Sequence, residues 1–348
     1  MVPVPGMPFG VVSAAAGQWS FVSVDDEVEV MSDRRFAPMR VRFAMLPPIT
    51  VSAAGEALTH NGRYLLVAGG AGAAVLSVAR LERGGRDPVL GLLSTPGPQA
   101  VSQLEDGAVE VVTSPDDRYA FVTLENVGQI SVFDLRAALA DGFRGSGYVG
   151  SISLGLGPVG MAISPNRRWL YATSLSASRT GSLPAPGTIS VIALRRAETQ
   201  PSAAVVATAM AGCGPVRVIV SANGRTVWTT AQASDALLGF SAAKLVTDPR
   251  HALLADVRVG ASPAGMAFTN HGRRIVVADT YRYTTTLHAG ALSVVSPSAA
   301  LARKPALLGH AAAADFPREM SLEPNGTTLL ITNYDSDELE ALNTQDLP

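Results

Sequence analysis

Cysteine is almost absent from this chain: Cys213 is the only one in 348 residues, so no internal disulfide framework staples it. Charge is sparse as well. Lys and Arg number 27 against 29 Asp and Glu, for a formal net charge of −2, and charged residues make up 16% of the whole. Nonspecific nucleic-acid binding needs a basic face that releases counterions from phosphates, and this balance argues against it. Hydrophobic residues reach 47%, yet no apolar run approaches the roughly 18 residues of a membrane span. There is no Gly-rich phosphate loop, no G-x-S-x-G nucleophile elbow and no paired cofactor motif. One Cys and five scattered His argue against zinc. The expectation is therefore no metal and no cofactor. Residues 1–6 lack the basic start and apolar stretch of a secretory signal. They point to a cytoplasmic protein, although a chain that had lost its leader would read the same.

What is present is a repeat. Seven times an apolar strand, a tight polar turn and a second apolar strand follow one another, as in Met161-Ala162-Ile163-Ser164-Pro165-Asn166-Arg167-Arg168-Trp169. Gly17, Gly62, Asp117, Arg167, Gly224, Gly272 and Gly326 occupy the equivalent turn positions. A period of roughly 40–50 residues with several strands per unit is the signature of a propeller blade. Such blades bury their faces only against neighbours, so residues 1–348 read as one domain. The expected fold is all-β: a seven-bladed β-propeller with four-stranded antiparallel blades.

The fourth repeat shows one blade in full. Residues 158–164 form the inner strand, and Pro165-Asn166-Arg167 the turn, Pro presetting φ and Asn tolerating left-handed geometry. Residues 169–173 and 188–194 make strands two and three, and 203–208 the outer strand. Segments 136–140, 241–245 and 298–301 suit one helical turn between strands three and four. The chain begins at an inner strand and stops soon after a third one. The last blade therefore either lacks its outer strand or borrows residues 2–4, the borrowed strand being favoured although Pro3 and Pro5 remove ladder donors.

Residues 160–173, followed by Gly187-Thr188-Ile189-Ser190-Val191-Ile192, resemble the YVTN-type β-propeller repeat, and residues 325–334 look like the same unit. That superfamily includes surface and scaffold proteins and is similar to the propeller lactonases of the 6-phosphogluconolactonase type. The lactonases imply a site of His, Arg and Glu at one mouth of the ring. Phe316-Pro317-Arg318-Glu319-Met320 resembles their Pro-Arg approach to an inner strand, with a weaker echo at Pro215-Val216-Arg217. No inner-strand approach here is His-rich. His60 and His271 fall in hairpin turns instead.

Long loops into inner strands, and between strands two and three, open on one face of a propeller, where binding groups are sought. Four such loops stand out. Residues 96–110 hold Glu105, Asp106 and Glu110, the last beside an inner strand. Residues 174–187 carry Arg179 as their only charge, stiffened by Pro184 and Pro186. Residues 279–288 are chemically the richest, with Asp279, Tyr281, Arg282, Tyr283 and His288. Residues 310–319 hold Asp315, Arg318 and Glu319. Arg217 and Arg318 read as corresponding positions two blades apart, able to converge on one anion as planar forks. The plainer alternative pairs each with a neighbouring blade's carboxylate, Glu319 or Glu110. Glu110, Glu125, Asn126, Asn333 and Asp335 could supply some oxygens of a hard-cation site, without a spacing that shows convergence.

Two functions follow. One is a binding module that holds a small anionic molecule or a protein partner on the loop-rich face through Arg217, Arg318, Tyr281, Arg282, Tyr283 and Arg179. The alternative is a lactonase-like hydrolase, or a related lyase or isomerase, with Glu110, His288 or Glu319 moving protons.

Overall fold

The computed structural model describes the chain apart from residue 5 and residues 33–38, 43–53, 85–86, 97–106, 178–184 and 283–288; for residues 39–42 it describes the backbone alone. Seven four-stranded antiparallel sheets form the ring. Their inner strands are Pro8–Ser13, Glu56–Leu58, Ala108–Thr113, Leu156–Ile163, Pro215–Val220, Pro263–Thr269 and Pro317–Leu322, here numbered as blades 1 to 7.

The apolar core is spread over seams between blades. Phe21, Val28 and Val30 of blade 1 pack with Leu65, Val67 and Leu76 of blade 2. The same seam recurs where Phe121 and Ile130 of blade 3 meet Leu170 and Ala172 of blade 4. Second strands are covered on both faces, and Tyr119–Leu124 is buried at every position. Such strands read as continuous apolar runs rather than alternating ones. Outer strands are wetter: Leu307–Ala312 has no fully buried residue.

The ring closes through the borrowed strand. Val2–Pro3 pairs with Glu338–Asn343 as the outermost strand of blade 7, Val2 opposite Leu339 and Pro3 opposite Glu338. The Val4 amide then donates to the Asp337 carbonyl at 2.8 Å, and Val4 itself is fully buried with Val11 of blade 1 and Leu330 of blade 7. Pro3 is tolerated because the ladder is only two residues long and lies at a sheet edge.

The short helical turns lie where the composition places them. Leu135–Asp141 starts at Asp134, whose carboxylate accepts from the Ala137 amide, and stops at Gly142 in the left-handed region. Ala242–Thr247 and Pro297–Leu301 are capped likewise by Ser241 and Ser296. The fourth blade's outer strand is longer than its sequence signal, running Val205–Cys213.

Two local devices hold blade to blade. At the tight-turn end, Asp117 accepts from the backbone amides of His60 and Asn61 at 2.7 and 2.9 Å, joining blades 2 and 3. Nearer the channel, a hydroxyl on the second strand accepts from the inner strand and donates to the next blade. Thr173 takes the Gly160 amide and gives to the Val216 carbonyl; Thr230 does the same for Arg217 and Ala264. Ser23 and Thr332 repeat it in blades 1 and 7. Each such bond contributes on the order of 1 kcal/mol.

Candidate functional site

Six of the inner strands carry a two-residue bulge near their start, as between Pro215 and Val218 or Pro317 and Met320. A bulge re-aims side chains, here toward the channel. Counting from the pair that resumes the ladder, the residues just before it are Gly10, Glu110, Gly160, Arg217, Gly265 and Glu319, with Gly55 equivalent in blade 2. Four of these seven are glycine, and the other three form one charged cluster. The glycines let a neighbouring backbone come close. A Cβ at Gly160 would stand 2.3 Å from the Val216 carbonyl oxygen, and one at Gly265 would stand 2.4 Å from that of Arg318.

Arg217 crosses this space. Its Nε donates to Glu319 Oε2 at 2.6 Å, and Nη1 lies 3.0 Å from Glu110 Oε2, a close ion pair without hydrogen-bond alignment. Nη1 also reaches the Val159 carbonyl at 3.4 Å. Four blades are thereby joined through one guanidinium whose side chain is only 9% exposed. Burial alone would lower the Arg217 pKa, but the charges of Glu319 and Glu110 reverse this and leave it raised. Glu110 is pushed up to about 7, mainly by burial, with Arg217 opposing and Glu319 reinforcing the shift.

Glu56 adds a third buried carboxyl. It occupies the column where the other blades place Val11, Val111, Met161, Val218, Met266 and Met320. Neither of its oxygens has a well-formed hydrogen bond among the described residues, and burial drives its pKa well above the usual range, the Val12 backbone only partly opposing.

Above the Arg217 plug, on the loop-rich face, lies a cavity of about 230 Å³. Val109, Val159, Val216 and Ala264, the first residues of four bulges, form an apolar collar. The polar lining comes from Arg217, Arg318, Glu125, Gln232 and Arg282.

Arg318 is the unusual member. Its Cζ lies 3.7 Å from the Phe9 ring centre and 5.0 and 5.8 Å from those of Tyr334 and Phe316. Three rings thus seat the guanidinium through its face, which holds a cation without neutralising it and leaves the in-plane N–H donors available. Among the described residues no carboxylate pairs with it, and its buried Nε has no hydrogen-bond partner. Burial, then the charge of Arg217, lowers its pKa to about 10.

Arg217 and Arg318 are therefore not equivalent, contrary to the sequence reading. Arg318 directly follows Pro317, whereas Arg217 stands one residue further from Pro215, and that offset sends one to the plug and the other to the cavity wall. Arg217 takes the plainer alternative, pairing with Glu110 and Glu319. Those two candidate proton carriers face Arg217. Arg282 lines the cavity from an exposed position, while Tyr281 is half-buried with its amide on the Ala261 carbonyl. His310 falls in the outer strand of blade 6, its Nδ1 3.1 Å from Ser293 Oγ. Arg179, Tyr283, His288, Glu105 and Asp106 lie outside the described residues. Among the described residues, no group of three or more His, Cys, Asp or Glu is placed to hold a metal ion. No helix there is long and apolar enough to cross a membrane.

Sequence reasoning missed Phe9, Phe316, Tyr334 and Gln232, and weighed Glu125 only as a metal ligand. The column of four glycines and three charges was the available signal.

Solved structures share this architecture. Hydrazine synthase from Kuenenia stuttgartiensis superposes with a TM-score of 0.74 at 16% identity, over 98% of this chain and 96% of that one. A chain of a mitotic checkpoint complex gives 0.72 at 14% identity, over 98% and 90%. At these identities the likeness shows the seven-bladed propeller fold alone. No protein-family model and no curated protein matches the chain.

Proposed function

We propose that this propeller is a binding module whose channel-mouth cavity holds a small molecule by an anionic group, with Arg318 as the principal cation. The observation that carries this reading is the state of Arg318: desolvated, seated on three aromatic rings, and left without a counter-ion among the described residues. A buried charge is normally paired. An incoming carboxylate or phosphate would supply that pairing as a planar, charge-assisted contact. Arg282 at the rim adds positive potential along the approach. The collar of Val109, Val159, Val216 and Ala264 suits a ligand with an apolar body.

Isothermal titration with a panel of small carboxylates, sugar phosphates and inorganic phosphate tests this. Saturable binding by the wild type that is lost in Arg318→Met supports it. Equal binding by both proteins would remove Arg318 from the site, and no binding across the panel would refute the reading.

A second reading, a lactonase-like hydrolase, draws support from Glu110. This carboxyl changes protonation near neutral pH and pairs with Arg217, which lines the same cavity. Such a group suits general acid or base work. If turnover of a lactone exists, Glu110→Gln abolishes it while leaving binding of the product acid intact. Binding without turnover keeps the module reading.

A further inference from the structure

Resting on that reading, we infer that the cavity is built for a small zwitterion, such as an α-amino acid, with its carboxylate on Arg318 and its ammonium on Glu125. Both groups line the same cavity of about 230 Å³. Each lacks its own partner: among the described residues neither side chain makes an ion pair or a hydrogen bond, and the two do not pair with one another. Arg318 is held by rings and Glu125 by its backbone, whose amide donates to the Gly107 carbonyl at 2.9 Å. One cavity thus presents a positive and a negative group that form no ion pair with one another among the described residues.

A ligand that is only an anion meets half of this arrangement. It satisfies Arg318 but leaves the Glu125 carboxylate desolvated, and burial already pushes the Glu125 pKa up despite the charges of Arg318, Arg282 and Arg217. A dianion adds repulsion from Glu125. A zwitterion satisfies both poles at once, and its side chain faces the collar of Val109, Val159, Val216 and Ala264. Discrimination of this kind is steep, because a site built for a polar group rejects the analogue that lacks it.

Matched ligands separate the two charges. Titrate the full chain with alanine, valine, leucine and phenylalanine, and in parallel with the deaminated acids, 4-methylpentanoate standing in for leucine. The amino acid that fits binds about tenfold or more tighter than its deaminated partner. Glu125→Gln removes that advantage, and the acid binds the variant at least as tightly as the wild type, which also shows that the variant is folded. Arg318→Met weakens both ligands. Deaminated acids that bind as tightly as the amino acids would overturn the zwitterion assignment and leave the anion site standing. So would an advantage that persists in Glu125→Gln. Failure of every ligand, with inorganic phosphate also inert, would overturn both.

Discussion

Arg217 and Arg318 are two arginines of one channel, and the protein treats them in opposite ways. Arg217 is bound by two carboxylates from other blades and raised in pKa; Arg318 is stacked on rings, unpaired among the described residues and lowered to about 10. One residue of offset from the strand's proline makes the difference. A guanidinium satisfied from within serves the ring, whereas one left unsatisfied at a cavity wall is open to a ligand.

The largest effect comes from removing the satisfied one. Arg217→Met leaves Glu110 and Glu319 facing each other without a cation, and urea unfolding should show a loss of about 3–5 kcal/mol, the usual cost of breaking a buried pair. A loss under about 1 kcal/mol would mean that the plug does not tie the blades.

Next comes the space around it. Gly160→Ala forces a Cβ to within 2.3 Å of the Val216 carbonyl oxygen and 2.9 Å of Arg217 Cα, both backbone atoms with little room to yield. Overpacking of this kind costs about 1–3 kcal/mol. The turn glycine Gly326 meets nothing within 4 Å but has a φ of 72°, so its alanine variant tests conformational strain instead of crowding.

The pH dependence sharpens the plug side. Glu110 titrates near 4.5 when unfolded and about 7 when folded, so between those values the folded state holds the extra proton. Stability from this group is therefore full below about pH 4.5 and declines as pH rises to 7, with a slope of up to about 1.4 kcal/mol per pH unit. Asp279, raised to about 7 chiefly by burial, slopes the same way. Unfolding at several pH values should show a shallower decline for Glu110→Gln, by about one proton; an unchanged slope would assign the titration elsewhere.

Glu56 gives the smallest and opposite effect. Glu56→Met installs the residue that blades 4, 6 and 7 already use at this position and removes two buried oxygens that lack a well-formed hydrogen bond among the described residues. It should stabilise the protein by about 1 kcal/mol or more. Destabilisation would show that Glu56 has a partner of value in the ring.

How far these features were legible beforehand differs between fold and site. Blade number and turn positions are written in contiguous residues such as Ser164-Pro165-Asn166, because turn chemistry is local. The offset between Arg217 and Arg318 was also legible, by counting from Pro215 and Pro317, but only once the bulge was recognised as the reference. The aromatic seat was not legible. It joins Phe9 of blade 1 to Phe316 and Tyr334 of blade 7, and although the borrowed strand was expected, nothing in the sequence says which side chains that non-local closure brings together. Glu125 was ambiguous for a related reason: a carboxyl after strand two is a turn residue, a metal ligand or a pocket pole depending on what stands across the channel.

The central claim, that the unpaired arginine serves a ligand and not the fold, is tested most directly by the unfolding free energy of Arg318→Met without ligand. The rings that seat Arg318 would receive a methionine thioether in its place, and a buried charge without a partner would be gone. A stability within about 1 kcal/mol of wild type, or above it, is the predicted result. A loss as large as that of Arg217→Met would contradict the claim and make Arg318 a second structural arginine.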